Sequence, residues 1–318
     1  MSGLRVTVAE VTAETPAIRT LRLVREDGAD FTPFQAGAHI DVVGPTGVLR
    51  QYSLCSPPAD PSSIIIAVKR ETESRGGSVA LHQVSAGDHV KIGKPRNLLS
   101  IATGADRHVL VAGGIGVTPL LSMAYELYTW GEEFELHYFA RTREEAAFVD
   151  LLETRVEFRD RVHLHFGVPR TDQPAVLAGV ASGLTGSSHV YTCGPEGFMT
   201  AVAGVFGPVV GEEHVHIEHF TATEIDTSND TGFTVELDTG EEFDVPADRS
   251  ILEVLEDNGI EVFKSCEEGI CGSCVSGVLD GTPDHRDNCL SAADKAAGNQ
   301  IALCVSRARS DRLVVELY

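Results

Sequence analysis

No apolar run in this sequence approaches the ~20 residues that a membrane-spanning helix needs, because charges or glycines interrupt every candidate, the stretch from His108 to Leu121 included. A soluble protein is the expectation. The start, Met1-Ser2-Gly3-Leu4-Arg5-Val6, lacks a basic segment followed by an apolar core and passes directly into alternating apolar positions, so no secretory signal peptide is expected. Positive charge is scarce. Against 47 Asp and Glu stand 25 Lys and Arg, a net charge of −22. Such a chain repels nucleic-acid phosphates and anionic membrane surfaces, which sets both partner classes aside. Internal repeats and low-complexity tracts are also missing. The chain has seven cysteines, and without an export signal they are not expected to pair as disulfides. A reducing cytoplasm keeps them free for metals or catalysis.

What is present falls into three parts within 318 residues, enough for two or three packed domains. From Arg5 to about Asn97 the pattern is one of short β-like runs: Arg5 to Val11, Ile18 to Val24, His39 to Val43, Arg50 to Leu54 and Ile64 to Lys69. Turns rich in Gly, Pro and Asp separate them, as in a small antiparallel barrel. From about Arg107, apolar strands alternate with helical stretches. Strands are expected at His108 to Ala112, Glu135 to Phe139, His163 to Phe166 and His189 to Thr192; helices are expected at Pro119 to Trp130 and Glu144 to Val156. That rhythm predicts a parallel α/β layer domain. The polar stretch Thr221 to Gly232 reads as a linker. Beyond it, Phe233 to Leu237 and Glu242 to Val245 read as a hairpin, and Ser250 to Glu253 has capping-box spacing, with Asn258-Gly259 as the helix stop. From Ile225 to the end, 7 Lys and Arg face 20 Asp and Glu, so this part carries −13 of the charge. Either a basic protein partner or solubility alone accounts for it.

The most specific signal is Cys266-x4-Cys271-x2-Cys274, with Cys304 after a further 29 residues. This is plant-type [2Fe-2S] spacing: two irons bridged by sulfides need four thiolates, three of them on one tight loop. Gly269, Gly272 and Ser273 keep that loop free of bulk, so that backbone N–H groups can approach the sulfurs. Zinc also takes four thiolates, but more often from two short C-x2-C knuckles. Cys289 lies outside the spacing. The segments Ser265 to Cys274, Pro283 to Asp287 and Cys304 to Ala308 closely resemble the ferredoxin domain of the phthalate dioxygenase reductase family.

The resemblance extends over the whole chain. Arg50-Gln51-Tyr52-Ser53 resembles the R-x-Y-S signature of the ferredoxin-reductase flavin barrel, and strand alternation puts Arg50, Tyr52 and Leu54 on one face and Gln51 and Ser53 on the other. By that resemblance, Arg50 pairs with the flavin phosphate, Tyr52 lies against the ring, and Ser53 hydrogen-bonds near the reactive nitrogen. The backbone of Ile66, Ala67 and Val68 lines the ring edge. Arg75-Gly76-Gly77-Ser78 leads into a short helix with Ser78 as a possible N-cap, an anion site that the family uses for the flavin phosphate. Gly113-Gly114-Ile115-Gly116-Val117-Thr118-Pro119 resembles the family's G-G-x-G-x-T-P nucleotide element, with Thr118 as expected N-cap and Pro119 as first helical residue. Cys193-Gly194-Pro195 resembles its C-G-P element, which places Cys193 beside the nicotinamide; Phe220 matches an aromatic that packs near the flavin. Ser53 and Cys193 are thus the catalytic candidates.

Arg141, after the strand Glu135 to Phe139, leans by the general rule toward NADP, whose 2′-phosphate an Arg accommodates, whereas the resemblance implies NADH, because NADH users of the family carry a similar Arg-Thr at that point. Cys55 has no evident chemistry. His214 and His216 read as one face of a strand, structural or solvated rather than metal-binding.

The resemblance implies a multidomain protein: an antiparallel β-barrel flavin domain (1–102) binding FMN, an α/β parallel-sheet nucleotide domain (103–224) binding NADH, and an α+β β-grasp plant-type ferredoxin domain (225–318) with its cluster on Cys266, Cys271, Cys274 and Cys304. Its implied work is that of the reductase of a separate Rieske-type non-haem iron oxygenase or demethylase, docked near the acidic ferredoxin domain. The chain itself carries no Rieske Cys-His pairs, iron triad or haem signature. A self-sufficient reductase of quinone or ferric iron, and a non-enzymatic redox-sensing module, are the rival classes. A monomer in the cytoplasm is expected.

Overall fold

The structure, a computed structural model, describes residues 3–74 and 76–317; Met1 and Ser2, used above for the signal-peptide reading, and Arg75 of the glycine turn lie outside the described residues. Two compact units divide the chain, Met1–Glu218 and His219–Tyr318. Among the described residues no helix is long and apolar enough to cross a membrane.

The first unit opens with strands β1 (Leu4–Ala13), β2 (Ile18–Arg25), β3 (Ala38–Val43), β4 (Leu49–Ser53) and β5 (Ile64–Lys69), helix α1 (Gly77–Leu81), and strands β6 (His89–Ile92) and β7 (Arg96–Asn97). They form an antiparallel sheet in the order β4-β3-β6-β1-β2-β5, with β7 against β3. A bridge between Leu54 and Ile66 joins its two edges, which makes the sheet a barrel. Period-2 alternation explains the closure. Val6 and Val8, Leu21 and Leu23, Ile40 and Val42, and Ile64, Ile66 and Val68 all turn inward and are buried.

A parallel sheet follows, built from β8 (Arg107–Gly113), β9 (Phe134–Ala140), β10 (Val162–Phe166), β11 (Ser188–Cys193) and β12 (Val215–Glu218), with α2 (Val117–Trp130), α3 (Val149–Thr154), α4 (Gln173–Ala181) and α5 (Glu196–Val210) between them. Its order is β10-β9-β8-β11-β12. One face packs Leu110, Leu136 and Tyr138 against Leu120, Met123 and Leu127 of α2. The other packs Val109, Val111 and Phe139 against Leu177, Phe198 and Phe206. Burial on both faces is why the central strand β8 is apolar without alternation, whereas the edge strands β10 and β12 alternate apolar residues with His or Glu. Ile18, Cys55, Ala67 and Leu99 of the barrel share the first of these cores, which makes barrel and parallel layer one unit.

Several local expectations change. Helix α2 begins at Val117 with Gly116 as N-cap, and Thr118 sits inside its first turn, donating its hydroxyl to the Ile115 carbonyl at 3.0 Å. Ser78 likewise lies inside α1, whose N-cap is Gly76; the Ser78 hydroxyl meets Ser74 Oγ at 3.0 Å instead. The helix expected from Glu144 to Val156 is cut to α3. Phe148, in the left-handed region at φ 65°, precedes it and buries its ring in the core, while its N–H donates to Glu14 Oε2 at 3.2 Å. A partner from the barrel replaces the intrahelical one. His214 belongs to a 3-10 turn ahead of β12, not to the strand that holds His216.

The second unit contains β13 (Phe233–Leu237), β14 (Glu242–Val245), α6 (Ile251–Asp257), β15 (Val275–Asp280), β16 (Pro283–Asp284), α7 (Ala292–Ala297), β17 (Gln300–Ala302), β18 (Arg307–Ala308) and β19 (Arg312–Glu316). Its main sheet runs β14-β13-β19-β15-β17, with β13 and β19 parallel and the other pairs antiparallel, and β16 pairs β18 separately. Ser250 and Glu253 form a reciprocal capping box at the start of α6. The polar segment Thr221 to Gly232 is tied to this unit. Asp230 accepts both ends of the Arg286 guanidinium, at 2.8 and 2.6 Å, and Thr223 Oγ1 accepts from Asn288 at 2.7 Å.

Candidate functional site

The candidate residues fall at three places. On the barrel, β4 presents Arg50, Tyr52 and Ser53. Arg50 and the glycine turn, far apart in sequence, are brought together: a Cβ on Gly77 would lie 2.8 Å from Arg50 Cγ and 3.6 Å from its Nε. Only glycine lets the turn lie on the arginine. Tyr52 is half-buried, and burial raises its phenol to about 12, so it stays neutral. Ile66, Ala67 and Val68 are buried, the side chains of Ile66 and Val68 filling the barrel. Cys55 is explained by the core: it is buried, and its thiol donates to the Ile65 carbonyl at 3.3 Å.

The second place is the C-terminal edge of the parallel sheet. Chain order reverses between β8 and β11, the position where open α/β sheets leave a crevice for ligands. The glycine element follows β8 and the Cys193-Gly194-Pro195 element follows β11, so both turns flank that point. They touch backbone to backbone. A Cβ on Gly116 would run into the Cys193 carbonyl, and one on Gly194 would lie 3.0 Å from Gly113 Cα. Gly114 has φ 57°, a left-handed turn that favours glycine. Thr118 and Pro119 are buried in the first turn of α2, and Pro195 caps α5. Arg141 is exposed just beyond β9.

A pair that sequence reasoning missed links these two places. His39 Nδ1 on β3 lies 3.7 Å from Glu218 Oε1 on β12, with side-chain exposures of 5% and 6%. His39 sits opposite Ser53 in the barrel register, and Glu218 sits opposite Cys193 in the parallel register. The two catalytic candidates are therefore each one strand from this buried pair. Burial pushes the Glu218 carboxyl up to about 8, and burial followed by the nearby Glu218 pushes the Cys193 thiol well above its ordinary value. Ser53 Oγ and Glu218 Oε2 are buried without a hydrogen-bond partner among the described residues. Unpaired buried oxygens are expensive, so they mark a place where a bound group completes the bonding. Phe220 falls in the second unit, which begins at His219, and is 36% exposed.

The third place is the thiol loop. Glu267, Gly269 and Gly272 take φ of 58°, 73° and 70°, which curls the chain and turns N–H groups inward. Glu268 N donates to Cys266 Sγ at 3.3 Å and Cys266 N donates to Cys271 Sγ at 3.4 Å. Ser273 Oγ lies 3.3 Å from Cys271 Sγ. Cys304 is delivered from the turn after β17, where Leu303 N donates to the Cys274 carbonyl at 3.2 Å. The thiols form two close pairs, Cys266 with Cys271 and Cys274 with Cys304; in each, sharing a proton lowers one partner, Cys271 to about 5, and raises the other. Four converging sulfurs, with N–H donors on two of them, fit a [2Fe-2S] cluster. Cys289 stays outside the set, its thiol 3.4 Å from Asp287 Oδ2.

Comparison with known proteins agrees with this division. The profile of the 2Fe-2S iron-sulfur cluster binding domain matches residues 235–309. Vanillate O-demethylase oxidoreductase of Pseudomonas sp. (strain HR199 / DSM 7063) is 42% identical over 303 residues, covering 94% of this chain and 95% of that protein. Phthalate dioxygenase reductase of Burkholderia cepacia is 40% identical over 317 residues, covering 99% and 97%. A solved phthalate dioxygenase reductase, described as a modular structure for electron transfer from pyridine nucleotides to [2Fe-2S], matches with a TM-score of 0.70 at 40% identity over 99% of this chain and 98% of that one. An intact type IV self-sufficient cytochrome P450 monooxygenase matches with a TM-score of 0.89 at 36% identity, over 98% of this chain but 41% of that longer chain.

Proposed function

Because the chain belongs to the phthalate dioxygenase reductase family, we propose that it is the reductase component of a Rieske-type non-haem iron oxygenase or demethylase, taking hydride from NADH onto FMN and passing single electrons through its [2Fe-2S] cluster to that separate protein. The observation that carries the reading is the joining, in one polypeptide, of a nucleotide crevice flanked by the Gly116 and Cys193 turns with a four-thiol loop. The first suits a two-electron donor and the second a one-electron relay.

Bound flavin supplies hydride acceptance and release of electrons one at a time, and a [2Fe-2S] cluster supplies the one-electron relay. The chain's own residues bind and orient. Arg50 offers its guanidinium to the flavin phosphate beside Gly76, Gly77 and Ser78. Ser53 donates its free hydroxyl at the ring, and the backbone of Ile66 to Val68 lines the ring edge, with Tyr52 against it. Gly113, Gly114 and Gly116 let backbone approach the dinucleotide pyrophosphate ahead of Thr118 and Pro119. Cys193, with Gly194 and Pro195, packs the nicotinamide against the flavin. Arg141 reaches the adenosine ribose. Glu218, its carboxyl raised by burial to about 8, holds a proton near neutral pH one strand from Cys193. Cys266, Cys271, Cys274 and Cys304 hold the irons. The acidic C-terminal third complements a basic oxygenase surface. The three tasks divide at about residue 102 and, in place of the expected 224/225 limit, at the start of the second compact unit, His219.

Anaerobic stopped-flow reduction with NADH and with NADPH, beside acid extraction of the flavin, tests this reading. Flavin bleaching followed by cluster bleaching with NADH, and release of FMN, is the expected result. Flavin reduction without cluster reduction would break the path and point to a reductase of small acceptors such as quinone or ferric iron.

A further inference from the structure

We propose that Glu135, His137 and His163 form a binding site for a late divalent transition ion of the Zn2+ class, on the parallel sheet and apart from the redox path. His137 on β9 and His163 on the edge strand β10 are direct partners in the parallel register, and Glu135 lies two residues before His137 on the same face of β9. The two imidazole rings are stacked, 4.6 Å between centroids and 13° apart in plane, so the exposed His163 ring must turn about its side-chain bonds to bring its lone pair to the same ion. One donor atom from each of the three residues lies within 4.8 Å of the others.

The spacing of the best-defined pair suits two donors on one ion as well as the hydrogen bond it makes here. His137 Nε2 and Glu135 Oε2 are 3.3 Å apart. A charge-assisted N–H···O bond closes to about 2.7–2.9 Å. Donors bound at about 2.0–2.1 Å to a tetrahedral ion stand about 3.3–3.4 Å apart. The far side of the ring is also arranged for a ligand. His137 Nδ1 lies 3.2 Å from His165 Nε2, so a proton on Nδ1 donated to His165 leaves the Nε2 lone pair facing the carboxylate. Metal-bound histidines are usually held in this way by their other nitrogen.

Burial grades outward: His137 is buried, Glu135 half-buried and His163 exposed, which gives an entry path and room for water to complete the coordination. Two imidazoles and a carboxylate suit Zn2+, Ni2+ or Cu2+ better than Ca2+ or Mg2+. Arg107 Nη2 lies 3.6 Å from Glu135 Oε1 and works against a bound cation, so a micromolar site is expected rather than a nanomolar one. The residues lie in the first halves of β9 and β10, whereas the glycine turn follows the C-terminal end of the parallel strand β8. An ion here would pin the edge strand β10 to β9 and take no part in hydride transfer. A second histidine group, His189, His214 and His216, serves as an internal comparison: His189 Nδ1 and His216 Nε2 are already hydrogen-bonded at 2.8 Å.

The test uses holoprotein with flavin and cluster intact, freed of loose divalent ions by dialysis against EDTA and then buffer. ZnCl2 is titrated calorimetrically, and thermal unfolding is followed with and without it. One equivalent should bind and raise Tm. His163→Ala and Glu135→Gln should each weaken that binding at least tenfold, with His214→Ala leaving it unchanged. Zn2+ affinity unaltered in both His163→Ala and Glu135→Gln, or lost only in His214→Ala, would overturn the assignment. Two variants on different elements keep the result readable should either fold poorly.

Discussion

Glu218 Oε1 lies 3.7 Å from His39 Nδ1, a buried contact between the last parallel strand and the flavin-type barrel. The strand partners of the two residues are Cys193 and Ser53, so this single contact aligns two segments 140 residues apart in sequence. It also sets a titration. Burial raises the carboxyl from 4.5 to about 8, so between those values the folded chain keeps a proton that the unfolded chain has released. Stability therefore falls as pH rises through that window, by up to about 1.4 kcal/mol per unit, and is unaffected by this group below 4.5.

Glu218→Gln keeps the shape and removes the titration, with His39 and Cys193 still facing the group. Urea midpoints at pH 6 and pH 8 should fall less in the variant than in the parent, and at pH 8 the variant should be the more stable. Parallel loss of stability in both proteins would show that Glu218 does not carry the raised value.

Cys304→Ser removes one sulfur of the thiol set while leaving the first unit untouched. The variant should lose the visible absorption of the cluster and most of its iron. NADH-dependent reduction of an artificial dye at the flavin should stay within about twofold, because one kcal/mol in a barrier is already about a fivefold change in rate. Loss of dye reduction together with the cluster would contradict separate sites.

A methyl group at Gly116 would meet the Cys193 carbonyl with no flexible side chain to yield. Gly116→Ala should therefore destabilise the first unit by about 1–3 kcal/mol, the usual cost of overpacking. If the turn holds the nucleotide as proposed, the change should also raise KM for the nucleotide more than it lowers kcat. Chemical denaturation and steady-state kinetics check both. An unchanged KM would separate this turn from the nucleotide.

Arg307 is 5% exposed and donates to the carbonyls of Arg249, Thr231 and Pro246 at 2.6, 3.0 and 2.9 Å, with Asp230 3.6 Å from its Nε. Its guanidinium also lies 5.1 Å from the Phe233 ring centroid. Arg307→Met keeps the apolar stem and strands the carbonyls, at roughly 1–3 kcal/mol for a buried unsatisfied group. Cluster bleaching in denaturant should move to lower concentration, with flavin release unchanged. Coincident shifts of both signals would argue against separate unfolding of the two units.

The sequence by itself determined what depends on spacing and local pattern. Alternation over Arg5 to Val11 marks a half-buried strand, the short β-branched run Ile64 to Lys69 marks a buried one, and both are strands. Ser250 and Glu253 cap a helix wherever that segment folds, because the bonds are between near neighbours. The spacing from Cys266 to Cys274 likewise sets three thiols on one loop. Only the tertiary structure decided the rest. The helix expected from Glu144 to Val156 yielded at Phe148 to a core position and to a hydrogen bond that its N–H donates to Glu14, 134 residues away. Thr118 and Ser78 gave up their expected caps to glycines, because the chain enters those helices from tight glycine turns. His39 and Glu218 carry no motif, and neither Glu135 nor His163 signals the other in sequence. Their meetings depend on which strands become neighbours, a choice made by the packing of two sheets on one core.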